Sequence, residues 1–294
     1  GELERIHSPL LWMGVAAHGP GFDALFMYTW RDRETVMDVL ESLTGNRVNY
    51  SMNVLGGVKY DVDEQQGQSI LGALDFLEER TWHYFDVVST DTMFLRRTQG
   101  IGVMTRHQAE VLGAVGPTAR ASGVARDVRV EAPYLAYEAF PVQMITDDVG
   151  DLRARYIVRV KELFESYRVI REILEALPEG DLTTRMPRRI QAGETVSWVE
   201  APRGELFYFI KSGGSDTPER IKVRTPTICN LTSVVKLAVG HQLADVPMIL
   251  AGIDPCFSCN DRMVVLERGR GGLEGMSWEQ LRQYGIDFYR RAAG

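Results

Sequence analysis

The chain has 294 residues, 45% of them hydrophobic and 25% charged, which is enough to bury a substantial core and ordinary for a globular protein. Against 33 basic side chains it carries 40 acidic ones, and the net charge of −7, with no compensating basic block, excludes a nucleic-acid surface. Three cysteines exclude a disulfide scaffold and favour a reducing, cytoplasmic setting; no apolar run reaches the roughly 18 residues of a membrane span, and no signal peptide is visible.

The chain opens on Gly1 rather than Met and runs at once into helical sequence, so residues upstream are expected. Apolar positions from Leu3 to Val15 predict a helix over Glu2–Ala17 that Pro9 kinks or restarts. After the Gly19-Pro20-Gly21 turn, a second helix is predicted over Phe22–Leu43 and closes at Thr44-Gly45-Asn46. Asn49–Tyr60 reads as a small hairpin or loop. Glu64–Arg97 reads as a long helix broken near Ser89-Thr90. Gly100–Arg129 is glycine-rich and loop-like, with a short helix near Arg106–Leu112, and Asp148–Leu177 is the longest helical segment. The period then changes to two. Thr195–Glu200 and Leu206–Ile210 flank Ala201-Pro-Arg-Gly204 as a hairpin, with Ile221–Arg224 as a third strand. Asn230–Gly240 returns to helix. Pro247–Ile253 reads as a buried strand leading into Asp254-Pro-Cys-Phe-Ser-Cys259, Val264–Glu267 as a last strand, and Ser277 opens a final helix with Gln280 placed for a capping box. With no repeats or linker, residues 1–294 form a single domain, mainly α with small β elements (α+β).

Chemistry concentrates at Cys256 and Cys259. A CxxC turn suits a shared metal, a reversible disulfide, or simply two small buried hydrophobes, and the residues alone leave these open. No βαβ pattern surrounds the pair, and His7, His18, His83, His107 and His241 show no ligand-like spacing, so the motif reads best as half of a four-thiolate site. Arg203 at the hairpin tip is either a solvated turn residue or a cation held rigidly by Pro202 and Gly204 over an anionic or polar ligand. Gly116–Gly123 is either a surface loop or one threaded close to a site. Arg31-Asp32-Arg33-Glu34 reads as a salt-bridged exposed helix face, and Cys229 as packing with no partner nearby.

These stretches together resemble the large subunit of nickel–iron hydrogenases, most closely the energy-converting membrane-bound branch, formate hydrogenlyase-like, which is related to the quinone-site catalytic subunit of respiratory complex I. The resemblance rests on Glu2-Leu-Glu-Arg-Ile-His-Ser8, Phe26–Glu34, Gly116-Pro…Ser-Gly123, Val199–Leu206 and Lys222-Val-Arg-Thr-Pro226. It covers nearly the whole chain. Asp254-Pro-Cys-Phe-Ser-Cys259 separates the branches, because complex I subunits lack these cysteines.

The resemblance implies a long-helix bundle in which the loops at Gly116–Gly123, Ala201–Gly204 and Asp254–Cys259 converge. It implies that Cys256 binds nickel terminally, that Cys259 bridges nickel and iron, that Arg203 sits over the ligands on iron, and that Asp254 positions Arg203. It further implies an iron–sulfur small subunit and membrane-arm subunits as partners, and a peripheral place on the inner face of the cell membrane. The family's upstream CxxC and proton-relaying glutamate are absent from this sequence, and Pro9 stands where many relatives have histidine. The expectation is therefore a chain cut from a longer subunit, holding half of the metal ligands and, in isolation, no nickel–iron centre. The family trims its chain after a basic residue at the position of Arg262, whereas Met263–Gly294 reads as folded. The alternatives are a quinone oxidoreductase subunit without nickel and a cofactor-free assembly subunit.

Overall fold

The computed structural model describes residues 1–187, 189–260, 266–269, 272–275 and 277–292. Chain contacts divide it into two compact units, Gly1–Pro255 and Cys256–Gly294.

Four long helices carry the first unit: α1 (Glu2–His18), α2 (Asp23–Thr44), α3 (Glu64–Thr90) and α8 (Leu152–Glu175). Their apolar stripes meet in one core, with Ile6, Leu10 and Met13 of α1 against Val36 and Leu40 of α2, Leu74, Leu77 and Tyr84 of α3, and Val160, Leu163 and Tyr167 of α8. Pro9 lies inside α1, which continues to His18 without restarting. Gly45 ends α2 as anticipated, with φ 76° and its N–H donating to the Glu41 carbonyl at 2.8 Å. The break after α3 falls at Asp91, whose extended backbone ends one helix while its carboxylate accepts from Phe94 N at 2.8 Å to start α4 (Thr92–Thr98).

Between α2 and α3 lies a short antiparallel pair, β1 (Asn53–Val54) and β2 (Gly57–Val58). The glycine-rich stretch holds more helix than its composition indicates: α5 (Arg106–Val111), α6 (Gly116–Arg120) and α7 (Val128–Glu131). Local caps nucleate these short pieces, including a Thr105–Gln108 capping box for α5 and Pro117 in the first turn of α6. A three-stranded antiparallel sheet follows, β3 (Gly193–Ala201), β4 (Gly204–Ser212) and β5 (Pro218–Arg224), in the order β3-β4-β5. The β3–β4 register pairs Trp198 with Phe207 and Ala201 with Gly204, leaving Pro202-Arg203 as a two-residue turn.

After the sheet come α9 (Pro226–Ala238) and α10 (Val246–Gly252). Helix α10 corrects the buried strand expected over Pro247–Ile253. A short apolar run has no decisive period, and Pro247 in the first turn, with Met248, Ile249 and Gly252 buried, resolves it as helix.

In the second unit, Cys256 precedes and Cys259 lies within a 3-10 turn over Ser258–Asn260, followed by the antiparallel pair β6 (Leu266–Gly269) and β7 (Gly272–Gly275) and by α11 (Trp278–Ala292). Ser277 and Gln280 form the anticipated box, Gln280 N donating to Ser277 Oγ at 3.3 Å and Ser277 N to Gln280 Oε1 at 2.6 Å. The strand expected at Val264–Glu267 falls in part on residues 264 and 265, outside the described residues, as do Arg262 and Met263.

Candidate functional site

Arg203 is held from three sides before its side chain makes any contact. Gly116, with φ +66°, lets the start of α6 pass directly against the hairpin tip; a Cβ there would stand 2.3 Å from Gly204 Cα and 2.5 Å from the Arg203 carbonyl. The residue before it is pinned in turn, because Val115 N donates to Asn230 Oδ1 at 2.9 Å and Asn230 Nδ2 returns a bond to the Val115 carbonyl at 3.2 Å. From α1, Arg5 donates to the carbonyls of Glu200 and Ala201. The glycine at 116 and the Ala-Pro-Arg-Gly tip thus meet, as the sequence led one to expect.

The Arg203 guanidinium then reaches Asp254. Its Nη2 lies 3.0 Å from Asp254 Oδ1, its Nε donates to the Asp254 carbonyl at 3.0 Å, and its Nη1 donates to Ser8 Oγ at 3.1 Å. Asp254 adopts left-handed backbone at φ 57°, which aims carboxylate and carbonyl at one guanidinium. Burial pushes its carboxyl above the ordinary range despite Arg203 and Arg159 pulling the other way. The pair lies 51 residues apart in sequence and is charge-assisted on two edges.

One residue before Ser8, His7 accepts at Nε2 from Arg33 Nη2 at 2.5 Å, since a guanidinium can only donate. Burial, then Arg33 and Arg203, hold its pKa at about 4, so the ring is neutral near pH 7. Arg31–Glu34, expected as an exposed salt-bridged face, is partly interior. Asp32 is 1% exposed and binds Arg31 at 2.7 Å, Arg80 at 2.8 Å and the Tyr84 hydroxyl, tying α2 to α3. Cys229, expected to lack a partner, receives a bond from Arg224 Nη1 at 3.4 Å.

Beneath the hairpin lies a buried network that no motif announces. Arg120 faces Glu162 and Glu200 at 2.7 Å each and Asp127 at 3.4 Å. Asp127 pairs with Arg129 at 2.7 Å, and Arg129 with Glu2 at 3.2 Å. Burial alone would raise the Glu2 carboxyl, but Arg5 and Arg129, with the Ser166 and Tyr137 hydroxyls, outweigh it and hold it at about 2. Burial prevails at Glu200, which is raised over the pull of Arg120. Helix α8 contributes only Glu162 to this network, and the other members come from α1, α6, α7, β3 and the turn before α7, so no single stretch of sequence displays it.

A cavity of about 850 Å³ opens beside Arg203. Its lining mixes apolar side chains such as Leu40, Ile70 and Ile170 with polar ones such as His7, Ser8 and Tyr50. In the second unit Cys256 and Cys259 are half-buried, and Asn260 Nδ2 donates to the Cys256 carbonyl at 3.0 Å. Among the described residues no group of three or more His, Cys, Asp or Glu side chains is arranged to hold a metal ion, and no helix is long and apolar enough to cross a membrane.

Comparison with known proteins places this geometry in context. The family described as respiratory-chain NADH dehydrogenase, 49 Kd subunit, matches residues 20–191 and 184–262. The membrane-bound hydrogenase subunit alpha of Pyrococcus furiosus is 39% identical over 286 residues, covering 92% of this chain and 67% of the relative. The carbon monoxide-induced hydrogenase of Rhodospirillum rubrum is 38% identical over 262 residues, 89% of this chain and 73% of the relative. Among solved structures, a chain of the membrane-bound sulfane sulfur reductase, an archaeal respiratory membrane complex, superposes with a TM-score of 0.84 at 30% identity, covering 89% of this chain and 73% of that one.

Proposed function

The chain belongs to the family of the 49 kDa subunit of respiratory-chain NADH dehydrogenase, and from that membership we propose that it is the catalytic large subunit of a membrane-associated nickel–iron hydrogenase, interconverting hydrogen with protons and electrons. At the coarser level the family is one of oxidoreductase subunits, and its fold is the helix-dominated one with small antiparallel sheets described above. Electrons pass to an iron–sulfur partner subunit, and membrane-arm subunits hold the complex on the inner face of the cell membrane.

The observation that supports this reading most is the Arg203–Asp254 pair at 3.0 Å, with Asp254 two residues ahead of Cys256 in sequence. Hydrogen cleavage needs a polarising metal beside a base and a fixed cation. Arg203 is such a cation, its fork locked by Asp254 and Ser8. His7 offers a neutral ring lining the same cavity. Cys256 and Cys259 would be the nickel ligands, with Cys259 shared with iron, since thiolates are soft donors suited to nickel. When bound, such a centre supplies the Lewis acidity for splitting hydrogen. Two thiols are half of a four-thiolate set, and the described residues add no third donor, so this chain alone does not fit a complete centre and the isolated chain is expected to hold none.

A second reading, a complex I-like quinone oxidoreductase subunit without nickel, is supported by the cavity, whose mixed apolar and polar lining suits an amphipathic ring compound. Hydrogen-dependent dye reduction by the native complex, with wild-type subunit and with Cys259→Ser, separates the two. Activity abolished by the substitution supports the hydrogenase; no hydrogen-dependent activity, with quinone reduction intact in both, supports the second. A cofactor-free assembly role is indicated if the subunit keeps its fold and partner binding with both cysteines replaced and the complex shows neither hydrogen-dependent nor quinone-reducing activity.

A further inference from the structure

Helix α8 carries two arginines one turn apart, Arg155 and Arg159, and both side chains are fully buried, at 0% and 1% exposure. Arg155 Nη2 donates to the carbonyls of Gly102 at 2.7 Å and Gly150 at 3.2 Å. Arg159 lies face-on to Trp12, 4.2 Å from the ring centroid, and its Nη1 makes one long bond, 3.4 Å, to the Arg155 carbonyl. The remaining nitrogens, Nε and Nη1 of Arg155 and Nε and Nη2 of Arg159, are shielded from solvent and have no hydrogen-bond partner among the described residues. Each buried donor left so costs on the order of 1–3 kcal/mol, more when charged.

The carboxylates nearby are already committed. Asp151 caps α8 and accepts from Gly100 N, Asp254 is taken by Arg203, and Glu162 by Arg120. A contrast within the same interior makes the point. Arg120 is equally buried, faces three carboxylates and is driven above its ordinary pKa, whereas Arg155 and Arg159 are pulled down to about 10, chiefly by burial, Arg155 also by Arg159, and Arg159 also by Arg203 and Arg120 against Asp254 and Glu162. The interior therefore holds two positive charges without their own counter-charge, which proteins seldom tolerate. Two glycines let backbone approach Arg155 Nη1 closely: a Cβ on Gly252 would come within 3.1 Å of that nitrogen and one on Gly102 within 3.5 Å.

We propose that the Arg155–Arg159 pair, roofed by Gly102 and Gly252 and backed by Trp12, is a buried binding site for a small monovalent anion of halide size. Four unpaired donors in the fixed planes of two guanidinium groups supply the ligands. Packing there is close, since a Cβ on Gly252 would meet Leu152 at 2.3 Å, and this confines the proposal to a small ion in place of phosphate or sulfate.

Two measurements on the native complex test this without relying on a folded variant alone. Hydrogen exchange of peptides from α8 is followed in gluconate, chloride and bromide at fixed ionic strength. For a dissociation constant of about 10 mM, 100 mM halide should slow the most protected amides roughly tenfold. Arg155→Met and Arg159→Met should each remove that halide dependence. Crystals grown in bromide should then show anomalous density in contact with both guanidinium groups. Exchange identical in all three salts, slowing that persists in both variants, or bromide peaks confined to the surface (an adventitious ion only) would each overturn the proposal. If a variant fails to assemble, the bromide density decides.

Discussion

Replacing Gly116 with alanine attacks the positioning of Arg203 without touching Arg203, and the structure sets the scale. The added Cβ would lie 2.3 Å from Gly204 Cα, so backbone must move by about 1 Å to reach ordinary contact near 3.4 Å. The residue would also keep φ +66°, a conformation costing a non-glycine residue roughly 1–2 kcal/mol. Adding overpacking of about 1–3 kcal/mol gives a loss on the order of 2–5 kcal/mol. In a chain of 294 residues that is a fall in Tm of about 4–10 °C, at roughly 2 °C per kcal/mol. A displacement of that size at a catalytic group also costs about a hundredfold in rate. Gly67→Ala is the matched control. That glycine sits in α3, nothing lies within 4 Å of its Cβ position, and the substitution should stabilise by about 0.5–1 kcal/mol. Thermal melting of the subunit and turnover of the native complex read both variants. If Gly116→Ala melts and turns over like Gly67→Ala, the close approach of α6 to the hairpin is not what positions Arg203, and the reasoning fails.

Three further outcomes follow from particular contacts. His7 is held neutral, its folded pKa of about 4 lying below the ordinary value of 6.5, so its contribution is complete above pH 6.5 and is lost as pH falls toward 4. That is about 3 kcal/mol at about 1.4 kcal/mol per pH unit, read as urea-derived stability against pH, and His7→Gln should flatten the curve between pH 6.5 and 4.5; Glu2 loses its own contribution only from 4.5 down toward about 2. Arg120→Met leaves Glu162, Glu200 and Asp127 buried without their shared cation and should cost roughly 3–5 kcal/mol in urea unfolding; a loss below 1 kcal/mol would mean the network carries little. Arg203→Lys keeps the charge but loses the fork that grips Asp254 and Ser8, so turnover of the complex should fall at least about tenfold with assembly intact.

Much of the architecture was legible because long helices carry a repeated period. The end of α2 was readable from Gly45, and the break expected near Ser89-Thr90 falls one residue on, at Asp91. Alternation around the Ala-Pro-Arg-Gly turn gave the β3–β4 hairpin. Helix α10 was misread because seven apolar residues have no face to display, and only tertiary burial of Met248 and Ile249 decides between strand and helix. At the site, Arg203 and Asp254 were paired in advance by motif, and the structure brings them to 3.0 Å. The buried charges were not legible. Asp32 looked like one member of an exposed run, and its interior partners Arg80 and Tyr84 come from another helix; Glu2, Arg120 and Glu200 meet only once α1, α6 and β3 are assembled. Single-sequence periodicity records which face is apolar, and a charge buried with its partner leaves no mark in that record.

The central claim is that Cys256 and Cys259 hold nickel in the assembled enzyme. Nickel and iron are measured in the native complex purified with the wild-type subunit, with Cys256→Ser and with Cys259→Ser. The account predicts stoichiometric nickel in the wild type and its loss from both variants, with the partner's iron–sulfur iron retained. A wild-type complex that catalyses quinone reduction with no nickel, or variants that keep nickel in full, would contradict it.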